Sequence, residues 1–143
     1  MDDAKPQKHF GLMANDLGNF RKRPAFYAIR NVLALFKDSG APPAGELSYS
    51  FGAAPPSIKR HNFKRSDGSF LLVLYNDVKS YDQSRLMDID PAPVNVTLTL
   101  ENPANIEVFE PTFSAIAQQS VAATNSLVVP VADHVVVIRI TMR

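Results

Sequence analysis

The clearest pattern along the chain runs from Val94 to Glu101, where Val94, Val96, Leu98 and Leu100 alternate with Asn95, Thr97, Thr99 and Glu101. A period of two predicts a strand with one face buried. Phe70 to Tyr75 is almost wholly apolar and predicts a central strand covered on both faces. Leu47, Tyr49 and Phe51 alternate with Ser48 and Ser50, and Ile58 to Arg65 reads as a polar strand. Ser66-Asp67-Gly68-Ser69 lies between two strand-like runs, and Asp-Gly there signals a hairpin. Asn102-Pro103 is expected to turn the chain, with further strands at Ile106–Phe109, Leu127–Val131 and Val135–Met142.

One segment departs from this rhythm. Pro24 suits the first turn of a helix, where its missing N–H would have no partner in any case. From Ala25 to Phe36 the period is helical, with Phe26, Ile29, Val32, Leu33 and Phe36 on one face. Tyr27, Ala28, Ala34 and Leu35 leave little polar surface, so this helix is expected to be covered on more than one side. Lys37 and Gly40 are stop signals. The stretch before Pro24, from His9, reads as a loop and a turn, and Met1 to Lys8 as loop. Ala41-Pro42-Pro43-Ala44-Gly45 reads as a stiff linker. The predicted fold is mainly β: an antiparallel β-sandwich of about seven to eight strands with one N-terminal α-helix. The expected division is residues 1–40, loop and helix, and residues 41–143, the sandwich.

Composition changes this picture little. The 143 residues suffice for one domain with a real core, and a net charge of +1 gives no general attraction to nucleic acid or an anionic membrane. With no cysteine, disulfides and thiolate metal sites are excluded. No apolar run approaches the ~18 residues that span a bilayer. The acidic start, Met1-Asp2-Asp3, has no apolar h-region and reads as lacking a signal peptide.

The order of short motifs resembles the end of the catalytic (β/α)8 barrel, and the C-terminal β-sandwich after it, in clan-A glycoside hydrolases. The residues that carry the likeness are Phe10-Gly11-Leu12, Asn15-Asp16, Arg23-Pro24-Ala25-Phe26, Ala28-Ile29 and Leu33 in the first part. In the second they are Arg65-Ser66-Asp67-Gly68-Ser69-Phe70-Leu71-Leu72-Val73-Leu74-Tyr75, then "PVNVTLTL", "VFEP" and "HVVVIRIT". The resemblance implies that the helix is the last barrel helix, retained with the sandwich it packs against. It implies a noncatalytic accessory domain that stabilises a catalytic barrel or binds polysaccharide. It also implies an extracellular or periplasmic setting. Retaining enzymes of that class use two barrel carboxylates about 5–5.5 Å apart. None of Glu46, Glu101, Glu107 or Glu110 stands in a matching motif, so no catalytic residue is carried over.

The side chains themselves offer a modest inventory. Asn76 to Pro93 reads as a long irregular loop, and a loop of that length is functional or mobile. Within it Tyr81, flanked by Ser80 and Asp82, is the aromatic ring expected to be exposed, whereas Tyr49 and Tyr75 are expected in the core. Tyr81 could stack on a sugar while Asn76, Asp77, Asp82 and Arg85 hydrogen-bond to it. Asp77, Asp82, Asp88 and Asp90 could ligate calcium, but without EF-hand spacing, so local capping by aspartate is the simpler reading and no cofactor is expected. His9, His61 and His134 are too scattered to suggest a metal site, and His61 and His134 read as ordinary surface residues. Lys59, Arg60, His61, Lys64 and Arg65 alternate over two faces beside one aromatic, Phe63, which reads as an edge strand guarded by charge rather than a nucleic-acid site. Asn95-Val96-Thr97 is formally a glycosylation sequon.

Two other functions stay open beside the accessory domain. One is a small carbohydrate-active enzyme using Asp77, Asp82 or Glu107. The other is a protein-interaction module working through a sheet edge or the helix. A helix left exposed is expected to cause self-association.

Overall fold

The computed structural model describes residues 12–16 and 19–143; Met1–Lys8, His9, Phe10 and Gly11 of the sequence reading lie outside the described residues. The element order is β1 (Met13–Asp16), β2 (Asn19–Lys22), α1 (Pro24–Phe36), β3 (Tyr49–Phe51), β4 (Ile58–Lys64), β5 (Phe70–Asn76), β6 (Tyr81–Asp82), β7 (Met87–Asp88), β8 (Val94–Phe109), β9 (Gln119–Val131) and β10 (Val136–Met142). The fold is mainly β and antiparallel with one helix near its N-terminal end, as the hydrophobic pattern predicts. Its principal sheet has six strands, in the order β3-β8-β10-β5-β4 with β9 also against β8. Two separate two-stranded ribbons, β1-β2 and β6-β7, complete it.

The two layers of the sandwich are halves of one sheet curled into a half-barrel. Strand β8 makes this possible. Its first half lies beside β3, with Tyr49 opposite Leu100, and its second half beside β10, with Ile140 opposite Ile106. Strand β9 follows it along both halves. The expected turn at Asn102-Pro103 is therefore a bulge inside one continuous strand. Leu100, Glu101, Asn102 and Pro103 stand opposite Asn125 alone, and Pro103 sits where no ladder bond is required of it. A second irregularity puts Ala123, at φ 52°, in the left-handed region. The inward phase survives: Val96, Leu98 and Leu100 before the bulge, and Ala104, Ile106 and Val108 after it, all enter the same core.

That core also takes Phe70, Leu72 and Leu74 from β5, and Val136, Ile138 and Ile140 from β10. Strand β5 is covered on both faces, as its continuous apolar run requires. On the reverse side of the sheet Leu71, Phe109 and Val137 form a second cluster, against which Leu35 and Phe36 of α1 pack. The helix thus lies on the outer face of one half of the curled sheet.

The β4–β5 connection is the Asp-Gly hairpin expected from sequence. Gly68 N–H donates to the Arg65 carbonyl at 3.0 Å, and Gly68 takes φ 82°, a conformation open to glycine at no steric cost. The chain leaving α1 is clamped to this turn. Arg65 donates to the Lys37 carbonyl at 3.0 Å, and the Ser66 N–H and hydroxyl both donate to the Asp38 carboxylate. The Ser66 hydroxyl, and then its N–H, hold the Asp38 carboxyl below its ordinary value of 3.8. A depressed folded pKa stabilises the fold well above 3.8, and that contribution is lost as pH falls through the lower folded value. The melting temperatures of the wild type and Asp38→Asn should therefore differ at neutral pH and converge below the carboxylate range. A constant gap across an acid titration would show that the clamp does not depend on the charge.

Strand β4 ends the sheet order, and its basic side chains are mostly exposed, which is the charged edge read from sequence. Ahead of α1, the stretch read as loop and turn contains the β1-β2 ribbon, with Met13 opposite Lys22 and Asp16 opposite Asn19. Its mixed residues lack the alternation that would have marked strands.

Candidate functional site

Two surfaces compete for attention. The first surrounds Tyr81. The loop after β5 is not irregular throughout, because β6 and β7 pair as a small hairpin, Tyr81 opposite Asp88 and Asp82 opposite Met87. Asp82 organises its turn. One carboxylate oxygen accepts from the Ser84 N–H at 2.9 Å and the Ser84 hydroxyl at 2.7 Å, and the other lies 3.8 Å from Arg85 Nε. These serine bonds, led by the hydroxyl, lower the Asp82 pKa. Leu86 closes the turn at φ 51°. Tyr81 is 43 % exposed on this hairpin.

The remaining expected members sit elsewhere. Asn76 was read as a loop residue able to grip a sugar; it is the last residue of β5, opposite Ile58, and buried. Its N–H donates to the Ala132 carbonyl at 2.8 Å, so the ladder continues one residue past the apolar run. Its side-chain oxygen is buried without a hydrogen-bond partner. Asp77 N–H donates to the Ser57 carbonyl, and its carboxylate lies 4.0 Å from Lys59 Nζ. The structure thus joins Tyr81, Asp82 and Arg85 on one hairpin, and holds Asn76 and Asp77 at the end of β5.

Other acidic groups are similarly committed. Among the described residues no three histidine or carboxylate side chains gather as metal ligands would, and Asp77, Asp82, Asp88 and Asp90 do not form such a group. Glu107 accepts from Arg139 Nε at 2.7 Å, directly across the β8–β10 ladder. Asp77, just past β5, Asp82 on β6 and Glu107 on β8 are therefore each paired with a cation of their own. His134, read as a plain surface residue, is partly buried; its ring nitrogens are 3.5 Å from both Glu110 and Asp133, and its ring meets Phe113 edge-on. Tyr75, expected in the core, is only half-buried and stacks on His61.

The second surface is the outward side of α1. The expectation of a helix covered on more than one side is met on one side only. The single buried residue of α1 is polar Asn31, whose amide donates to the buried Pro111 carbonyl at 2.9 Å. Leu35 and Phe36 complete the covered side, and Phe36 also meets Phe63 of β4 edge-on. On the side of the helix away from Asn31 and Leu35, Leu33 is 65 % exposed and Ile29 46 %. These two, one helical turn apart, form a ridge between two grooves. One groove, of about 340 Å³, is lined by Leu12, Phe26, Ile29, Arg30 and Leu33. The other, of about 270 Å³, runs between Ala28 and Val32 on one side and Pro111, Thr112 and Val135 on the other. Leu12, itself exposed, extends the apolar surface beyond the helix. Helical periodicity located this face, but nearly every position of α1 is apolar, so the sequence could not say which side the sheet covers.

No protein-family model matches the chain, and no curated protein matches it significantly in sequence.

Proposed function

We propose that the chain is a noncatalytic accessory β domain that docks through the outward face of α1 onto a catalytic (β/α)8 barrel of glycoside hydrolase type. The observation that carries this reading is the Ile29–Leu33 ridge, exposed between two apolar grooves on the side of α1 away from the second apolar cluster. A contiguous apolar face of this kind is the usual mark of a macromolecular contact. The motif order from Leu12 to Leu33 supplies the barrel as its counterpart.

The test mixes the chain with separately purified clan-A glycoside hydrolase barrels stripped of their own last helix and β domain. A stoichiometric complex in light scattering, with a raised barrel melting temperature, is expected. Leu33→Asp should abolish both without altering the chain's own melting. Failure of every barrel in such a panel to associate would overturn the reading.

A second reading, polysaccharide binding, is favoured by Tyr81, exposed beside Asp82 and Arg85. It requires retention on an insoluble or soluble glycan that Tyr81→Ala removes. Retention unchanged by that substitution would move the binding surface away from the hairpin.

A further inference from the structure

We infer that the outer edge of β9 is held closed to strand addition by Thr124 and Pro130, and that the strand it would otherwise take is β9 of a second copy of this chain. The backbone phase of β8 fixes which groups this edge presents. Gly52 N–H donates to the Thr97 carbonyl at 2.9 Å and Glu101 N–H to the Ser48 carbonyl at 3.4 Å, so Thr97, Thr99 and Glu101 turn their backbone groups toward β3. Val128 stands opposite Thr97, Ser126 opposite Thr99 and Pro130 opposite Asn95, all in the same phase. Their backbone groups therefore point away from β8, whereas Leu127, Val129 and Val131 bond to it. Among the described residues no strand pairs with that outer side. Charge does not guard it, as it guards β4, because no charged side chain occurs from Thr112 to Ala132. Leu127-Val128-Val129 is, in addition, the kind of apolar β-branched run that recruits a further strand.

Local chemistry supplies the guard instead. Ser126 N–H donates to the Thr124 hydroxyl at 3.2 Å, and that hydroxyl donates to the Ser126 carbonyl at 2.8 Å, so one side chain engages both edge groups of Ser126. Pro130 has no N–H to offer. The Ala132 carbonyl already accepts from Asn76 N–H at 2.8 Å, and the irregularity around Ala123 bends the strand on the far side of Thr124. Between Ser126 and Ala132, Val128 alone keeps both backbone groups unmet among the described residues. Two copies meeting antiparallel about a two-fold axis at Val128 would pair Val128 with Val128, and Ser126 with Pro130 of the second copy. Each flanking pair thus joins a bracketed serine to a proline without a donor, and the ladder cannot extend beyond its centre.

The test compares a parent with the double variant Thr124→Val, Pro130→Val, which frees Ser126 and restores an N–H at position 130. Both carry Leu33→Asp, so that α1 contributes no association. Analytical ultracentrifugation should show the double variant self-associating at least about tenfold more tightly than its parent. Each single variant should move association in the same direction by a smaller step, so the result does not hang on the folding of one protein. Val128→Lys added to the double variant sets like charges opposite each other at the axis and should restore the monomer. Amide exchange needs no change at the guards: in the unmodified chain at low concentration Val128 should exchange freely while Leu127 and Val129 stay protected. In the associated double variant Val128 should become protected as well. A folded double variant that stays as monomeric as its parent overturns the inference. So does association that Val128→Lys leaves intact, or a Val128 amide already protected in the monomeric chain.

Discussion

Ile138→Ala is expected to lower the unfolding free energy by about 2–5 kcal/mol, a large share of the ~5–15 kcal/mol that holds a domain of this size together. Ile138 is fully buried on β10, flanked in register by Leu72 of β5 and Val108 of β8. Its side chain enters the core shared by both halves of the curled sheet, where hydrogen-bonded neighbours on each side prevent collapse around a cavity. Urea denaturation provides the measurement. Val128→Ala, on the exposed side of β9, is the control and should stay within about 0.5 kcal/mol. Equal costs for the two would mean that β10 is not the centre of the sheet.

Asn31→Ala should cost about 1–3 kcal/mol, because it leaves the buried Pro111 carbonyl without its donor. A polar residue is unexpected at the one position of α1 that the sheet side buries. Its amide fixes the register of the helix on the Pro111 loop, which apolar contacts from Leu35 and Phe36 alone would leave free to slide. Amide exchange along α1 should accelerate in the variant, while β5 and β10 keep their protection. Asn31→Leu separates volume from bonding: it refills the space but still leaves the carbonyl unmet. Stabilisation by Asn31→Leu would show that packing alone positions the helix.

Much of this fold is legible in the residues, where local chemistry and tertiary demand agree. Strand β5 reads correctly because a sheet sits against one face and a helix against the other. The β4–β5 turn reads correctly because Gly68 takes the positive φ that the dipeptide advertises. The first half of β8 alternates strictly because only one of its faces is dry.

The misreadings share a cause, which is a local signal overridden by distant partners. Asn102-Pro103 is turn chemistry, yet β3, β9 and β10 hold the strand on both sides of it and convert the turn into a bulge. Asn76 is a turn residue by type, yet pairing with Ile58 and Ala132 draws it into the sheet. The candidate surfaces divide in the same way. Exposure of Tyr81 could be read from its polar neighbours. The burial of Asn31, and with it the orientation of α1, depends on a carbonyl 80 residues away and leaves no trace in the local pattern.

Strand β8 is common property of both layers, and this governs how the domain comes apart. In a sandwich of two independent sheets, one layer can peel from the other with its own ladder intact. Here any separation of the layers must tear the middle of a strand that β9 accompanies along both halves. The two halves are therefore bound to melt together, and thermal unfolding followed by any spectroscopic probe of the sheet should trace one curve.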